Sequence, residues 1–345
     1  MRGMTGSYGQ RGRRRAPYEA CARLITAPTK TSMGGHPALL WLEDTDKGSG
    51  TIIWTADTPE EVLEAERLYN AAHGLGGDDE STDFTPVSRT NDERQLLQAI
   101  LANDGTQPLL AYADWLSAQQ NPQGEFIRVA LEAETLNRDD PRFDSVNARW
   151  AELLEEHGES WYAPLSAMNL FPYDQSFWIS KGVIHEVEIN RPGLLTERAA
   201  QLFDAVPLLD TLSFDCENLN VSQFADIPQM AQIRSLDFRY AGVDPDQLMI
   251  LLQSPFLRNL LELNLGGNEP GNKLVRAVID SPVWPQLRSL NLGSCNIDDE
   301  GLALIAASDG PLELRELNLD ESECTAEGLA KLAECVALEK LTSLS

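Results

Sequence analysis

Cysteine and histidine are scarce, five and four among 345 residues. Cys21, Cys216, Cys295, Cys324 and Cys335 are scattered, odd in number and form no C-x-x-C pair, which argues against a disulfide framework and a zinc site and fits a reducing compartment. His36, His73, His157 and His185 lie far apart, none at helical spacing from another, so no metal site is expected. Long hydrophobic runs are missing too. No stretch of about 18 uncharged apolar residues is present to span a bilayer, and the arginine-containing start is not followed by the apolar core of a signal peptide. The expected location is the cytoplasm. The phosphate-loop pattern G-x-x-x-x-G-K-S/T and the nucleophile elbow G-x-S-x-G are absent, and no Ser-His-Asp arrangement can be drawn from local sequence. No catalytic residue, metal or cofactor is therefore expected, and an enzyme would need a site assembled from distant residues.

Basic side chains are half as common as acidic ones, 27 against 54, giving a formal charge of -27. Phosphate backbones would be repelled by the chain as a whole, so nucleic-acid binding is disfavoured. The first 33 residues are the exception, with seven Lys or Arg against the single acid Glu19. They are expected to be a disordered basic tail, or an over-extended start with Met4 or Met33 as the true beginning.

What the chain does have is an internal repeat. Val187/Ile189, Leu212/Phe214, Leu236/Phe238, Leu263/Leu265, Leu290/Leu292 and Leu317/Leu319 start 24 to 27 residues apart, and Leu341 is expected to begin a seventh unit. Three units carry a fuller L-x-x-L-x-L-x-x-N/C frame: Leu260, Leu263, Leu265, Asn268; Leu287, Leu290, Leu292, Cys295; Leu314, Leu317, Leu319, Ser322. Side chains alternate along a strand, so each L-x-L pair should point into a core and the residue between to the other surface. The Asn or Cys can turn inward to satisfy backbone groups where the chain leaves the strand. Asp298 and Thr325 open helical patterns between strands, so a helix of two or three turns is expected in each unit. This frame resembles ribonuclease-inhibitor-like leucine-rich repeats. The resemblance implies an α/β solenoid over residues 166–345, with parallel strands inside and helices outside and the repeats themselves starting at 183.

Upstream, residues 91–165 read as helices broken at turn signals: Asn91, Pro108, Asn121-Pro122, Pro141 and an end at Gly158. The strings Glu93 to Ile100, Leu110 to Leu116, Gly124 to Arg128, Trp150 to Leu154 and Trp161 to Leu165 resemble the bacterial repeat-companion domain that precedes leucine-rich repeats, a family with no chemistry to transfer. Asp114 and Arg128 are expected to bridge two helices, with Glu125 joining the same network. Residues 34–75 suggest a small α+β module: strands around Ala38–Leu42 and Thr51–Trp54, then a helix from Thr58 to Gly74. Residues 76–90 are too polar to pack and read as a linker.

The resulting expectation is a non-catalytic scaffold that binds a basic or polar protein partner, not a membrane, through the surface of the repeats. The strand-face residues of the three best units are Glu262, Asn264, Gly266, then Ser289, Asn291, Gly293, then Glu316, Asn318, Asp320, and the Asn positions could grip a partner's backbone. Binding anchors are usually Trp, Tyr or Arg; the third repeat supplies Asp237, Arg239 and Tyr240. The candidate contact set is Asp215, Asp237, Arg239, Tyr240, Glu262, Asn264, Asn291, Glu316 and Asn318. Because the seventh unit has no polar cap of its own, self-association there is a further expectation. Two other classes stay open: an enzyme or effector acting through residues 1–90, and a nucleic-acid binder using Arg11 to Arg15.

Overall fold

The computed structural model describes residues 87–103, 105–166, 168, 177–269, 271–308, 313–334 and 339–345, and the backbone of three strands nearer the start. The chain divides into two compact units, Met1–Asp83 and Phe84–Ser345.

In the first unit, β1 (Cys21–Ile25), β2 (Ala38–Asp44) and β3 (Ser49–Ala56) form an antiparallel sheet in that order. The hairpin expected after residue 34 is β2 and β3. Residues 21–25, assigned by sequence to a basic tail, pair with β2 from Cys21 opposite Glu43 to Ile25 opposite Leu39. They are the tail's most apolar stretch. The Arg11–Arg15 cluster, the helix expected from Thr58 and most of the linker lie outside the described residues.

The second unit begins with four helices: α1 (Asn91–Leu101), α2 (Thr106–Ala118), α3 (Gln123–Thr135) and α4 (Phe143–Ser166). Thr90 caps α1, its hydroxyl accepting from Glu93 N at 3.2 Å. Gly124 sits where α2 and α3 cross; a Cβ there would fall 2.5 Å from Ala113 O. The end expected at Gly158 is corrected, since α4 runs on to Ser166. Trp161 packs against Phe126 with ring centroids 5.0 Å apart and Tyr162 against Phe177 at 4.6 Å, both tilted, and burying those rings outweighs one helical glycine, which costs about 1 kcal/mol. Arg128 reaches Asp114 at 2.5 Å, bridging α2 and α3 as expected. Glu125 is linked to Arg128 only through its charge; its direct partner is Arg149 on α4, which makes a two-point ion pair with it at 2.8 and 3.1 Å.

The chain then forms the hairpin β4 (Phe177–Ser180) and β5 (Val183–Ile189), and continues through β6 (Thr211–Phe214), β7 (Ser235–Asp237), β8 (Glu262–Asn264), β9 (Ser289–Asn291), β10 (Glu316–Asn318) and β11 (Ser343–Leu344). From β5 onward every pairing is parallel and follows chain order. The connections carry α5 (Pro192–Ala205), α6 (Pro245–Leu252), α7 (Asn272–Ile279), α8 (Asp299–Ala307) and α9 (Ala326–Ala333). Asp244, Asp298 and Thr325 accept from backbone N–H groups in the first turns of α6, α8 and α9. The connection between β6 and β7 departs from the expected helix. It holds two 3-10 turns, Val221–Phe224 and Pro228–Gln232, the second opened by Pro228, which has no N–H with which to continue a helix from the first.

Leu212, Leu236, Leu263, Leu290 and Leu317 form one buried row in register, and the neighbouring Phe214, Phe238, Leu265, Leu292 and Leu319 form a second. Each such side chain contributes roughly 1.5–3 kcal/mol on burial, so the leucine frame sets the register. The seventh unit needs a correction here. Leu344, not Leu341, pairs with Leu317, so Leu341 takes the place of Leu314 one step earlier. Asn268, 1% exposed, turns inward; its amide donates to Phe238 O and Leu265 O at 2.9 and 2.6 Å, and its carbonyl accepts from Val243 N at 2.9 Å. Cys295 Sγ does the same for Leu265 O at 3.0 Å. No helix among the described residues is long and apolar enough to cross a membrane.

Candidate binding face

Burying one side of each short strand leaves the other side open, and across β5 to β11 that side forms a groove of ≈ 550 Å³. Register makes it two rows of polar side chains. The first runs Glu186, Thr211, Ser235, Glu262, Ser289, Glu316, Ser343; the second contains Ser213, Asp237, Asn264, Asn291 and Asn318. Acids in the first row are separated by hydroxyl residues, so no two carboxylates sit directly opposite on neighbouring strands, an arrangement that avoids cross-strand repulsion.

The asparagines act locally before they can act on a partner. Asn264, Asn291 and Asn318 each accept, through Oδ1, from the N–H two residues on, in Gly266, Gly293 and Asp320, at 3.1, 2.9 and 2.8 Å. That side-chain turn fixes the carbonyl inward and leaves the NH2 as the outward group. Asn264 Nδ2 donates to Asp237 Oδ2 at 3.2 Å, and Asn318 Nδ2 to Asp320 Oδ2 at 3.4 Å. Asn291 Nδ2 has no partner among the described residues. Of the three asparagines foreseen from sequence, Asn291 is thus the one whose NH2 makes no hydrogen bond among the described residues, while Asn264 and Asn318 each spend one of two N–H donors.

Of the candidate contact residues, Asp237, Arg239, Glu262, Asn264, Asn291, Glu316 and Asn318 line the groove. Arg239 is held by Asp237 at 2.9 Å, so the two charges largely cancel. Asp215 and Tyr240 do not line it. Asp215 lies just past β6, its N–H donating to Ile189 O at 3.1 Å. Tyr240 lies past β7 with 70% of its surface exposed and its ring over Gly267, where a Cβ would fall 2.2 Å from the ring. For Tyr240 the reason is the turn that follows the strand: Tyr240, Gly267, Ser294 and Glu321 all take positive φ at the same place in successive units. That conformation suits glycine and is unfavourable for a bulky residue.

Sequence reasoning missed the N-terminal end of the groove, where Glu186 and His185 lie on β5. Burial pushes the Glu186 carboxyl above its usual range; His185, a hydrogen bond from Ser213 and Arg239 pull it down, while Asp237 pushes it up. His185 Nδ1 stands 3.7 Å from Asp210 Oδ1. The signal is present in the alternation of Val183 to Ile189, which sets Glu186 on the face opposite the buried Val187 and Ile189.

A family model of the leucine-rich repeat matches residues 285–306, which include β9 and most of α8. The strand register carries the same frame into the units on either side, so this chain contains leucine-rich repeats within a mixed α/β fold with a parallel sheet. No curated protein matches the chain. Among 31 solved chains that do is the crystal structure of a Bacteroides fragilis protein determined as a structural genomics target, 12% identical, covering 94% of this chain and 95% of that one, with a TM-score of 0.33.

Proposed function

We propose that this protein is a non-catalytic scaffold whose leucine-rich repeats form a ribonuclease-inhibitor-like solenoid and bind a protein partner through the open strand face, while α1 to α4 act as a repeat-companion domain covering the first strands. One observation carries the reading. Five successive parallel strands, β6 to β10, bury their leucines on one side, and the groove on the other side is lined mainly by polar residues, with an amide donor, Asn291, left unused by the fold. Leucine-rich repeats commonly serve protein–protein recognition, which supports the same conclusion. Affinity would rest on a few anchors and not on area. Tyr240 and Arg239, exposed at the ends of the strands, are the aromatic and cationic candidates beside Asn291.

The test is capture of partners from a host lysate by the full chain and by Asn291→Ala, Arg239→Ala and Tyr240→Ala variants, with each captured protein then purified and its affinity measured. Each substitution should weaken a true partner by about 5- to 30-fold. A partner bound equally by all three variants would show that recognition lies elsewhere.

A further inference from the structure

The groove is acidic beyond what the fold neutralises. Glu186, Asp237, Glu262 and Glu316 line it against one arginine, Arg239, and that arginine is taken by Asp237. Glu262 and Glu316 are exposed and have no cationic partner among the described residues; Ser289 Oγ, between them, donates to Glu316 Oε2 at 3.3 Å and orients it. Both occupy the same register position, on β8 and β10, with β9 between. Two strand spacings put their backbones ~9.6 Å apart. A segment in the polyproline conformation rises ~3.1 Å per residue with three residues per turn, so side chains three apart share a face at ~9.3 Å. On the strand between stands Asn291, whose free Nδ2 can donate to a carbonyl of that segment.

From this geometry we infer that the groove takes an extended basic segment of a protein partner, running across the strands, with two Lys or Arg side chains three residues apart set on Glu262 and Glu316 and an intervening backbone carbonyl on Asn291. The inference rests on the strand-face reading of function and adds the partner's chemistry to it. Neutral and acidic segments are excluded by the cost of leaving two carboxylates unpaired or opposed on desolvation. Pairing in so open a groove is screened by salt.

The experiment is fluorescence anisotropy of the full chain with labelled six-residue peptides: Ser-Lys-Pro-Pro-Lys-Ser, versions with the lysines adjacent or two apart, and the glutamate counterpart. The three-spaced lysine peptide should bind tightest. Glu262→Gln and Glu316→Gln should each weaken it by about fivefold, and raising salt from about 50 to about 500 mM should weaken it further. Equal binding of the glutamate peptide, no preference among spacings, indifference to both substitutions, or no binding at all would overturn the inference. The two readings separate on the captured partner. If its affinity depends on Asn291 but ignores Glu262→Gln and Glu316→Gln, the basic-segment inference fails and the strand-face function stands; if it ignores all three, both fail.

Discussion

Gly182 rests directly on the backbone of Ile127: at φ +78° it sits so close that a Cβ would fall 2.6 Å from Ile127 Cα and 3.0 Å from Ile127 N. The contact sets the turn of the β4–β5 hairpin on helix α3, and Glu134 holds the same turn by accepting from Lys181 N at 3.1 Å and Ser180 Oγ at 3.3 Å. Helices and strands thereby share one compact unit. Gly182→Ala meets two penalties, a side chain in the left-handed region and a clash with rigid backbone, and should destabilise by about 2–4 kcal/mol. Urea unfolding measures it; a change below about 0.5 kcal/mol would mean that the two layers are not fixed at this point.

Asn268 serves three backbone groups from two neighbouring units while almost fully buried. Asn268→Ala leaves Phe238 O, Leu265 O and Val243 N without that partner. A buried group stripped of its hydrogen bond costs about 1–3 kcal/mol, so the loss should reach about 2–4 kcal/mol. Thermal unfolding checks this, and Asn268→Cys is the informative companion. Cys295 fills the equivalent place, its single S–H within reach of Leu265 O at 3.0 Å and Gly293 O at 3.5 Å, so a cysteine at 268 should recover part of the loss, and no recovery would mean that the amide's further hydrogen bonds are what matter.

The legible parts of this fold were those governed by neighbours along the chain. Leucines at fixed spacing announced strands and register, and Asp298 and Thr325 announced helix starts, because alternation and capping act over a few residues. What escaped depended on groups far apart in sequence. The continuation of α4 past Gly158 is decided by Phe126 and Phe177, and the partner of Glu125 is Arg149, 24 residues away. Of the nine candidate contact residues, seven line the groove, six of them on the strands themselves. Tyr240 escaped because the chain has already turned away from the strand there, and only the recurrence of positive φ at Tyr240, Gly267, Ser294 and Glu321 reveals that turn; nothing in the structure explains why Asp215, in register with Arg239, stands outside the lining. That Asn291 keeps both amide hydrogens free while Asn264 and Asn318 each spend one could not be read at all, since it rests on what Asp237 and Asp320 do to the other two asparagines.

The repeat cysteines should be chemically quiet. Cys216 has its thiol pushed up to about 11, first by burial and then by Asp215, and burial raises Cys295, which is fully enclosed and bonded to Leu265 O. At pH 8 only about one Cys216 in a thousand would be thiolate, and thiolate is the reactive form. Site-resolved mass spectrometry after maleimide treatment should find Cys216 and Cys295 unlabelled in the folded protein and labelled in urea. For Cys216, labelling should grow as pH rises toward 11. Rapid labelling of Cys295 at pH 8 would mean that its unit opens readily.

Glu186 gives the stack a pH dependence whose sign can be worked out. Its carboxyl is raised by burial, an effect that His185, the Ser213 hydrogen bond and Arg239 only partly oppose. A raised value means that the folded state holds this proton more tightly than the unfolded chain does. The stability so contributed is complete below the unfolded value near ~4.3 and is lost as pH rises through the folded one. Glu186→Gln removes the titration and keeps the shape. Wild type and variant should therefore converge in stability below about pH 4, and the glutamine protein should become the more stable as pH rises toward 7. Urea unfolding at several pH values measures the difference. If the glutamine variant were instead the weaker at pH 7, the ionised carboxylate would have to be held by Ser213 and Arg239 more strongly than burial disfavours it.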